Sequence, residues 1–456
     1  MRRVVKVSRI RIIITIIVVV LTTLLTGCTG KEPNEIAYVV ALGIDSTDDD
    51  NYKITIQYAN TTQISGGASE SGGKAGSEIV DNVTIEAPNI YAGVGLANNI
   101  VSKSFSMSHA KLIVFSKEIA EKGVKDMIET LVRSEEIRPD VFIAVANTTA
   151  NDYLTSVNPE MEVNPAQYYQ LIYQKNQLVG IPDGQLREFF TGLYTDNYDS
   201  ILPVAGVIEG SGGNSQNDDR EQSKDGQNEG SEGSSESLDS FESKNSYEKD
   251  ENDKEKDAEK NTSKYEYDIK NYIGGETTIE KKNKAEAIGA AVFEKDKMVG
   301  ELGEVETEIC KMLKGDYTYS YLTYYNNDTP DIPITVKTTQ QKKPKYKIDT
   351  DKKTGDIELY IESDLYSLPA DYNVENKIED FERDVANYTS SACTEFINNF
   401  TKKYNSDILK LNEKIKYKFL TNNQYNWFKK NVGWSEYKFS VCTNFKVRRT
   451  GLIVRE

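Results

Sequence analysis

The chain has 456 residues, a formal net charge of −17 at neutral pH, one histidine and four cysteines. An acidic chain lacks the basic surface that binds nucleic-acid phosphates, which argues against a nucleic-acid partner. One histidine excludes a zinc site that needs two or three from a single chain, and any Ser-His-Asp or Cys-His triad would have to use His109.

The N-terminus has the order of a bacterial export signal. Basic residues within 2–11 precede an apolar run over 12–25, which at ~21 Å is short of a ~30 Å hydrocarbon core. Leu25, Thr26 and Gly27 then lead into Cys28, a pattern that resembles the lipobox of bacterial lipoproteins. We predict a signal peptide over 1–27 and a diacylglycerol on the Cys28 thiol; an uncleaved N-terminal membrane helix is the alternative. Either outcome places the remaining chain outside a bacterial cytoplasmic membrane.

Residues 28–208 have the pattern of an α/β domain. Two apolar runs joined by a polar turn predict a pair of strands, and a strand, an amphipathic helix and a second buried strand follow farther on. Ser116 stands where a helix cap is expected, and Gly123 stands where it would break the helix into two pieces. The predicted strands cover 36–44, 52–58, 111–115 and 141–145, the helices cover 89–102 and 116–132, and a flexible loop covers 65–78.

Residues 209–268 differ in composition from the rest of the chain. This segment has 19 acidic and 8 basic residues and therefore most of the net negative charge. So few apolar side chains cannot offset the entropy cost of ordering, and we predict a disordered acidic linker. An acidic docking tail for calcium or a cationic peptide is the alternative, although the spacing fits no calcium loop.

The C-terminal part predicts two further α/β domains, a small middle one over 269–335 and a larger one over 336–456. The middle domain has a predicted strand over 288–293, a tight turn, a second element from 299 and a helix over 304–313. The last domain has a β-rich run over 335–363 and a long amphipathic helix over 375–403. Its last strand, 437–447, alternates clearly, and we predict that its polar face is the solvated side of an antiparallel sheet.

Several residues have two interpretations. Cys310, Cys393 and Cys442 are far apart, so one disulfide or free thiols are both open, and Cys393 is expected to be a buried thiol in a helix. His109 is either a proton switch or ligand contact, or a structural histidine that opens a strand, and the structural role is preferred.

Other candidates for a binding surface also have an ordinary structural explanation. The segment RSEEIR, 133–138, is either a charged patch for a partner or a solvated helix end. Asp45, at a strand end, either caps or binds. An aromatic cluster is either a partner hot spot or core packing beneath the last sheet, and core packing is preferred. It consists of Tyr425, Trp427, Phe428, Trp434 and Tyr437.

Four stretches together resemble the Ger(x)C family of spore germination lipoproteins. They are the lipobox with EIAYVVALGID at 35–45, the stretch over 108–154 that begins SHAKLIVFSKEI, GAAVFEKDKMVGEL at 289–302, and the ending over 403–453. The resemblance implies a C-type subunit of a nutrient germinant receptor, lipid-anchored on the outer face of the spore inner membrane. It also implies A-type and B-type membrane subunits as partners, three mixed α/β domains, and neither a catalytic site nor a cofactor.

We therefore expect an α+β or mixed α/β fold of three domains, with packed helices on mixed sheets. The leading functional hypothesis is a non-enzymatic germinant-receptor subunit that acts in assembly and signalling. A solute-binding envelope lipoprotein that feeds a transporter is the alternative, and would need a pocket between two lobes. An envelope hydrolase with paired carboxylates is the third hypothesis.

Overall fold

The computed structural model describes residues 13–18, 35–49, 51–59, 80–158, 164–174, 180–195, 197–208, 271–277, 283–326, 329–367, 377–404 and 406–450. Cys28, the loop predicted over 65–78 and the linker predicted over 209–268 lie outside these residues. Within the described ranges, no helix is both long enough and apolar enough to cross a bilayer.

The first sheet has nine strands among the described residues. Its spatial order is β3-β2-β1-β5-β6-β7-β8-β9, and β4 pairs with β1. The central strands β1, β5, β6 and β7 run parallel, and β4 is also parallel to β1. The strands β2, β3, β8 and β9 pair antiparallel with their neighbours. The strands are β1 (Ile36–Ser46), β2 (Tyr52–Ala59), β3 (Val80–Ala87), β4 (Ser104–Ser106), β5 (Leu112–Ser116), β6 (Phe142–Ala146), β7 (Ile201–Val207), β8 (Ala285–Glu294) and β9 (Lys297–Leu302).

Helices and separate apolar clusters cover the two faces of this sheet, which is why every residue of β5 and β6 is buried. The predicted strand–helix–strand layer is confirmed, since β5 and β6 are parallel neighbours. Ser116 Oγ accepts a hydrogen bond from the Ile119 N–H, and Gly123, at φ +124°, separates two helices as predicted. The helices are α1 (Ile90–Ala97), α2 (Lys117–Lys122), α3 (Lys125–Val132), α4 (Ala150–Ser156), α5 (Pro165–Gln174) and α6 (Leu186–Thr195).

The strands of the predicted middle segment, 269–335, are divided between two sheets. β8 pairs antiparallel with β7, with Val207 opposite Ala285, so β8 and β9 extend the first sheet. β10 and β11 belong to the second sheet, and β11 continues past residue 335. α7 (Glu304–Lys314) connects the two sheets.

The second sheet has five strands among the described residues, and β13 lies at its centre. β11 and β12 pair with different halves of β13 along one edge, and β14 pairs along the other. The strands are β10 (Tyr319–Asn326), β11 (Thr329–Gln340), β12 (Lys345–Asp349), β13 (Thr354–Ser367) and β14 (Lys438–Arg449).

The prediction of an antiparallel sheet for the last strand is wrong, because β14 runs parallel to β13. The chain leaves β13 through three helices and returns to the same end of the sheet, and such a long crossover allows parallel pairing. The alternation itself is as predicted: Phe439, Val441 and Phe445 are buried and Lys438 and Cys442 are exposed. The helices are α8 (Ile378–Lys403), α9 (Leu411–Ile415) and α10 (Asn422–Asn431).

The outer edge of β14 has no strand beside it among the described residues, and polar side chains of α8 bind its backbone. A stripe of α8 residues at helical spacing accepts hydrogen bonds from alternate N–H groups of the strand. The pairs are Phe439 N to Asn398 Oδ1 at 2.9 Å, Val441 N to Thr394 Oγ1 at 3.0 Å, Thr443 N to Ser390 Oγ at 2.9 Å, and Val447 N to Glu382 Oε1 at 2.9 Å. The helix thus provides hydrogen-bond acceptors for backbone N–H groups of β14 that could otherwise pair with another strand.

A third apolar cluster joins the two sheets. Its members come from β7, β8 and β9 on one side and from α7, α8 and the second sheet on the other. Within it, Cys310 on α7 and Cys393 on α8 are completely buried. The two sheets therefore share core packing as well as chain connections.

Candidate functional site

Cys28, the predicted lipid attachment site, lies outside the described residues, and its acylation stays a prediction. His109 is exposed and ends a short 3-10 turn, Met107–His109. It does not open a strand as expected, since β5 begins at Leu112. Its ring packs edge-on against Tyr38 at 4.8 Å between centroids, and its Nδ1 lies 3.0 Å from the Ser108 Oγ.

Asp45 is a buried helix cap. Its carboxylate accepts hydrogen bonds from the Ala150 N–H at 2.6 Å and the Asn151 N–H at 3.0 Å, at the start of α4. Burial raises the pKa of Asp45, and these backbone hydrogen bonds oppose the shift. The carboxylate therefore connects β1 to the start of α4. Of the two interpretations of Asp45, capping and binding, the structure shows capping.

The segment 133–138 follows the end of α3 and is largely exposed. Within it, Ser134 Oγ accepts from the N–H groups of Glu136 and Ile137, and a Glu136 carboxylate oxygen accepts from the Met107 N–H at 2.6 Å. These contacts fit the solvated helix end.

The aromatic cluster divides into two groups. Tyr425, Phe428, Trp434 and Tyr437 are buried, which confirms core packing for them. Trp434 lies 4.8 Å from Tyr437 and 6.0 Å from Phe428 between ring centroids. Trp427, however, is 64% exposed, so the core interpretation is wrong for this residue.

The three described cysteines are free thiols, so the structure has no disulfide among them. Cys310 and Cys393 are buried and Cys442 is exposed. Burial raises the pKa of Cys310 to about 11 and that of Cys393 to about 12, so both are inert at neutral pH.

A group of charged and polar side chains lies where the first sheet meets the segment before α9. We call this group the joint; it consists of Glu188, Tyr198, Asp199, Asp407 and Lys410. Asp199 Oδ1 accepts from the Lys295 N–H at 2.9 Å, and its Oδ2 accepts from the Asp407 N–H at 2.8 Å. The Asp199 N–H in turn donates to the Asp407 carbonyl at 3.2 Å.

Asp407 and Lys410 complete the joint from the C-terminal side. The Asp407 carboxylate accepts from the N–H groups of Leu411 at 2.7 Å and Asn412 at 2.8 Å, and so caps α9. Lys410 Nζ lies 2.7 Å from Glu188 Oε1 and 4.2 Å from the centroid of the Tyr198 ring.

Burial dominates the electrostatics of the two aspartates. It raises the pKa of Asp407 to about 8 despite the two backbone hydrogen bonds, and it raises the pKa of Asp199. Burial alone would also raise the pKa of Glu188, but the hydrogen bond and charge of Lys410 outweigh it and the net pKa is lowered. Glu188 in turn raises the pKa of Lys410 against the effect of burial.

Two cavities flank the joint. One has a volume of about 570 Å³ and is lined by Asp199, Lys295, Asp407 and Trp434 among others. The other, of about 460 Å³, is lined by Asp183, Glu188, Lys311 and Lys410 among others. Both volumes lie within the range of small-molecule sites, about 300–1,000 Å³, but polar and charged side chains form much of their walls.

The joint is built as a structural connection. Each carboxylate oxygen of Asp199 and Asp407 accepts a backbone N–H, so the two acids connect segments that are far apart in the chain. No group of three or more His, Cys, Asp or Glu side chains suited to a metal ion occurs within the described ranges.

Sequence reasoning missed the joint, although part of a signal was present. Asp407 precedes the helix that it caps, which is a common helix-start pattern. Nothing local links Asp407 to Asp199, however, because 208 positions separate them.

The sequence matches two family models in order along the chain. Residues 30–207 match the spore germination protein N-terminal domain, and residues 288–451 match the spore germination B3/GerAC-like C-terminal domain. Together these ranges cover well over half of the chain.

Individual proteins show the same similarity at lower coverage. Spore germination protein KC of Bacillus subtilis (strain 168) is 26% identical over 174 residues, 35% of this chain and 42% of that protein. The putative spore germination protein YfkR of the same strain is 28% identical over 145 residues, 32% of this chain and 37% of that protein. The matches thus span about two fifths of these relatives' length. The crystal structure of the GerBC protein is 15% identical, with a TM-score of 0.48, and the match covers 89% of this chain and 96% of that one.

Proposed function

Because this chain belongs to the Ger(x)C family of spore germination proteins, we propose that it is a non-catalytic, lipid-anchored subunit of a nutrient germinant receptor. In this proposal the Cys28 lipid holds it on the outer face of the spore inner membrane. Its role is receptor assembly and germination signalling beside A-type and B-type membrane subunits.

The observation that supports this proposal most strongly is the ordered match of the two family models over 30–207 and 288–451. The joint is consistent with a non-catalytic role, because the carboxylates of Asp199 and Asp407 connect distant segments through backbone N–H groups.

Lipid anchoring supplies a physical mechanism for the assembly role. Two acyl chains hold a protein stably, since each buried methylene contributes about 0.8 kcal/mol and one chain alone binds only marginally. Confinement to the membrane surface raises the effective concentration of the folded part toward membrane partners without any new contact.

The test is a pull-down from detergent-solubilised spore membranes with an affinity tag inserted within 209–268. We expect a transporter-like multispanning protein to co-purify with the tagged chain. A tagged protein that is present in spore membranes without such a partner contradicts the receptor proposal. Binding of a small solute to it in titration calorimetry would then favour the solute-binding lipoprotein, with the two cavities at the joint as the first places to examine.

A further inference from the structure

A small basic and apolar surface on the C-terminal part remains outside the joint and the proposed assembly role. We call it the lysine–aromatic patch; it consists of Lys416, Lys418, Leu420, Trp427 and Lys430. Leu420 is 95% exposed and Trp427 is 64% exposed, and both line one open depression beside Lys418. Trp427 and Lys430 are three positions apart on α10 and therefore share a helix face.

The residues next to the exposed apolar side chains are packed in the core. Phe419, next to Leu420, packs at 5.6 Å from Tyr425 and 5.1 Å from Phe428 between ring centroids. Tyr425 and Phe428 are the buried face of α10, so Trp427 lies on the opposite, outer face. Since the backbone on both sides is fixed by core packing, Leu420 and Trp427 do not owe their exposure to a loose chain end.

The charge of this region is opposite to that of the whole chain. Residues 410–430 contain six lysines and one acidic residue, Glu413, in a chain with net charge −17. Lys416, Lys418 and Lys430 form no ion pair with a carboxylate of the described residues. Lys418 donates a hydrogen bond to the Ile348 carbonyl, and Lys416 lies 5.9 Å from the centroid of the Tyr425 ring.

We propose that the lysine–aromatic patch is a docking surface for the headgroup region of an anionic lipid bilayer. Tryptophan and leucine side chains insert at the boundary between headgroups and acyl chains, and lysines beside them bind the negative surface. The positive charge of the patch complements an anionic bilayer, which the acidic remainder of the chain does not. The bilayer contact adds to the lipid on Cys28 and fixes which side of the folded part faces the membrane.

This inference depends on the membrane location in the proposed function, but its test does not depend on a receptor. All labelled strands and helices lie within 36–449, so the unacylated chain from residue 29 onward contains every one of them. We would measure its flotation with vesicles of phosphatidylcholine containing 30% phosphatidylglycerol, and with vesicles of phosphatidylcholine alone. We expect binding to the anionic vesicles only, with an affinity that falls as salt concentration rises.

Tryptophan emission locates the contact. The chain has two tryptophans, and Trp434 is already buried, so a blue shift on vesicle binding reports insertion of Trp427. We expect the double substitution Leu420→Ala/Trp427→Ala to weaken vesicle binding at least tenfold. Lys416→Gln/Lys430→Gln should weaken it by roughly fivefold for each charge removed, the effect of about 1 kcal/mol per lysine near an anionic surface.

Matched controls use exposed aromatic residues and exposed lysines elsewhere in the chain. Tyr321→Ala/Tyr366→Ala removes two exposed aromatic side chains from the second sheet, and Lys125→Gln/Lys343→Gln removes two exposed lysines. Both controls should bind vesicles as the unsubstituted chain does. Equal weakening by the controls, or no binding to anionic vesicles, overturns the proposal. If vesicles are not bound but Leu420→Ala/Trp427→Ala abolishes co-purification of a membrane subunit, the patch contacts protein, and the receptor proposal stands without the lipid contact.

Discussion

Asp407 is a carboxyl group that is buried at the joint and held almost entirely by backbone N–H groups. Lys414 faces it electrostatically from α9, and Asp199 faces it from the loop before β7. Burial outweighs these hydrogen bonds and the nearby lysine, which is why its pKa rises to about 8. A buried acid of this kind makes the stability of the fold depend on pH near neutrality.

The sign of the pH dependence follows from proton binding. The folded state keeps the Asp407 proton up to about pH 8, whereas the unfolded chain loses it near pH ~4. The contribution to stability is therefore complete below pH ~4 and is lost as pH rises to about 8. In urea unfolding, we expect the free energy of unfolding of the Asp407→Asn variant to decline less steeply between pH 5 and 8 than that of the unsubstituted chain, because asparagine has no proton to lose in this range. The variant should still fold, since the asparagine oxygen can cap α9. The exposed Asp351→Asn change is the control, and a decline in Asp407→Asn as steep as in the unsubstituted chain would contradict this account.

Cys28 gives a second prediction at the residue scale. Replacing Cys28 with alanine removes the only thiol that the lipobox pattern assigns to acylation. In cells fed an alkyne-tagged palmitate, we expect the unsubstituted chain to become labelled and Cys28→Ala to lose the label completely. Cys442→Ala, which removes the exposed thiol of β14, should keep it. Labelling of Cys28→Ala at the normal level would show that the anchor assignment is wrong.

At the scale of elements, the contact between α8 and β14 shows how a helix protects a sheet edge. Successive acceptors along α8 are four or eight residues apart, and the strand N–H groups that they bind are two or four residues apart. Four helical residues advance about 6.0 Å and two strand residues about 6.6 Å, so the two repeats stay matched over several turns. Polar residues on an otherwise amphipathic helix therefore have a structural role here.

Asn398 is the residue of this stripe that makes two hydrogen bonds with the backbone of one strand residue. Its Nδ2 donates to the Phe439 carbonyl at 2.9 Å, and its Oδ1 accepts from the N–H of the same residue. We expect Asn398→Ala to lower the free energy of unfolding by about 1–3 kcal/mol, because a partly buried donor and acceptor lose their partners. Asn399→Ala, at the exposed next position, should cost less than ~0.5 kcal/mol in the same urea titration. Equal effects of the two changes would refute the edge-protection role.

Local patterns predicted most elements well. The long helix expected over 375–403 is observed as Ile378–Lys403, and the last strand expected over 437–447 is observed as Lys438–Arg449. Both have apolar residues at a regular period, and that period is a property of the local sequence. The parallel pairing of β13 with β14 and the Asp199–Asp407 contact depend on partners far away in the chain, about which a local period contains no information. The exposure of Trp427 was missed because composition does not distinguish the two faces of an aromatic-rich helix.

At the scale of the whole molecule, the first sheet is shared by the two matched family ranges. β7 belongs to the range 30–207, and all of β9 and most of β8 belong to 288–451. β7 and β8 pair across the chain between them, with Val207 opposite Ala285. Ile208 and Asn271, the described residues nearest to the segment 209–268, are both held by the folded part: the Ile208 N–H donates to the Lys284 carbonyl, and Asn271 Oδ1 accepts from the Val305 N–H in α7.

This arrangement predicts that the segment is dispensable for the fold. Replacing residues 210–267 with a ten-residue glycine–serine linker shortens the stretch between Ile208 and Asn271 from 62 to 14 residues, about fourfold. This change should leave the free energy of unfolding unchanged or up to ~1.2 kcal/mol higher. As a control, the same linker in place of 271–277 should destabilise, because the Gly274 N–H donates to the Ile288 carbonyl and its own carbonyl accepts from Asn147. Loss of folding on replacement of 210–267, seen by circular dichroism, would contradict the prediction.

The pairing of β7 with β8 also implies a delay during synthesis, because β7 is made well before its partner strand. The chain is made from its N-terminus, and at about 5–20 residues per second the stretch between Val207 and Ala285 takes roughly 4–15 s to appear. Throughout that interval the newly made sheet ends at β7, a nearly completely buried strand in the finished protein. Until β8 is made, the free edge of β7 can pair with a wrong strand, although all the strands before it have been synthesised. A cell that makes this protein has to protect that strand edge for several seconds.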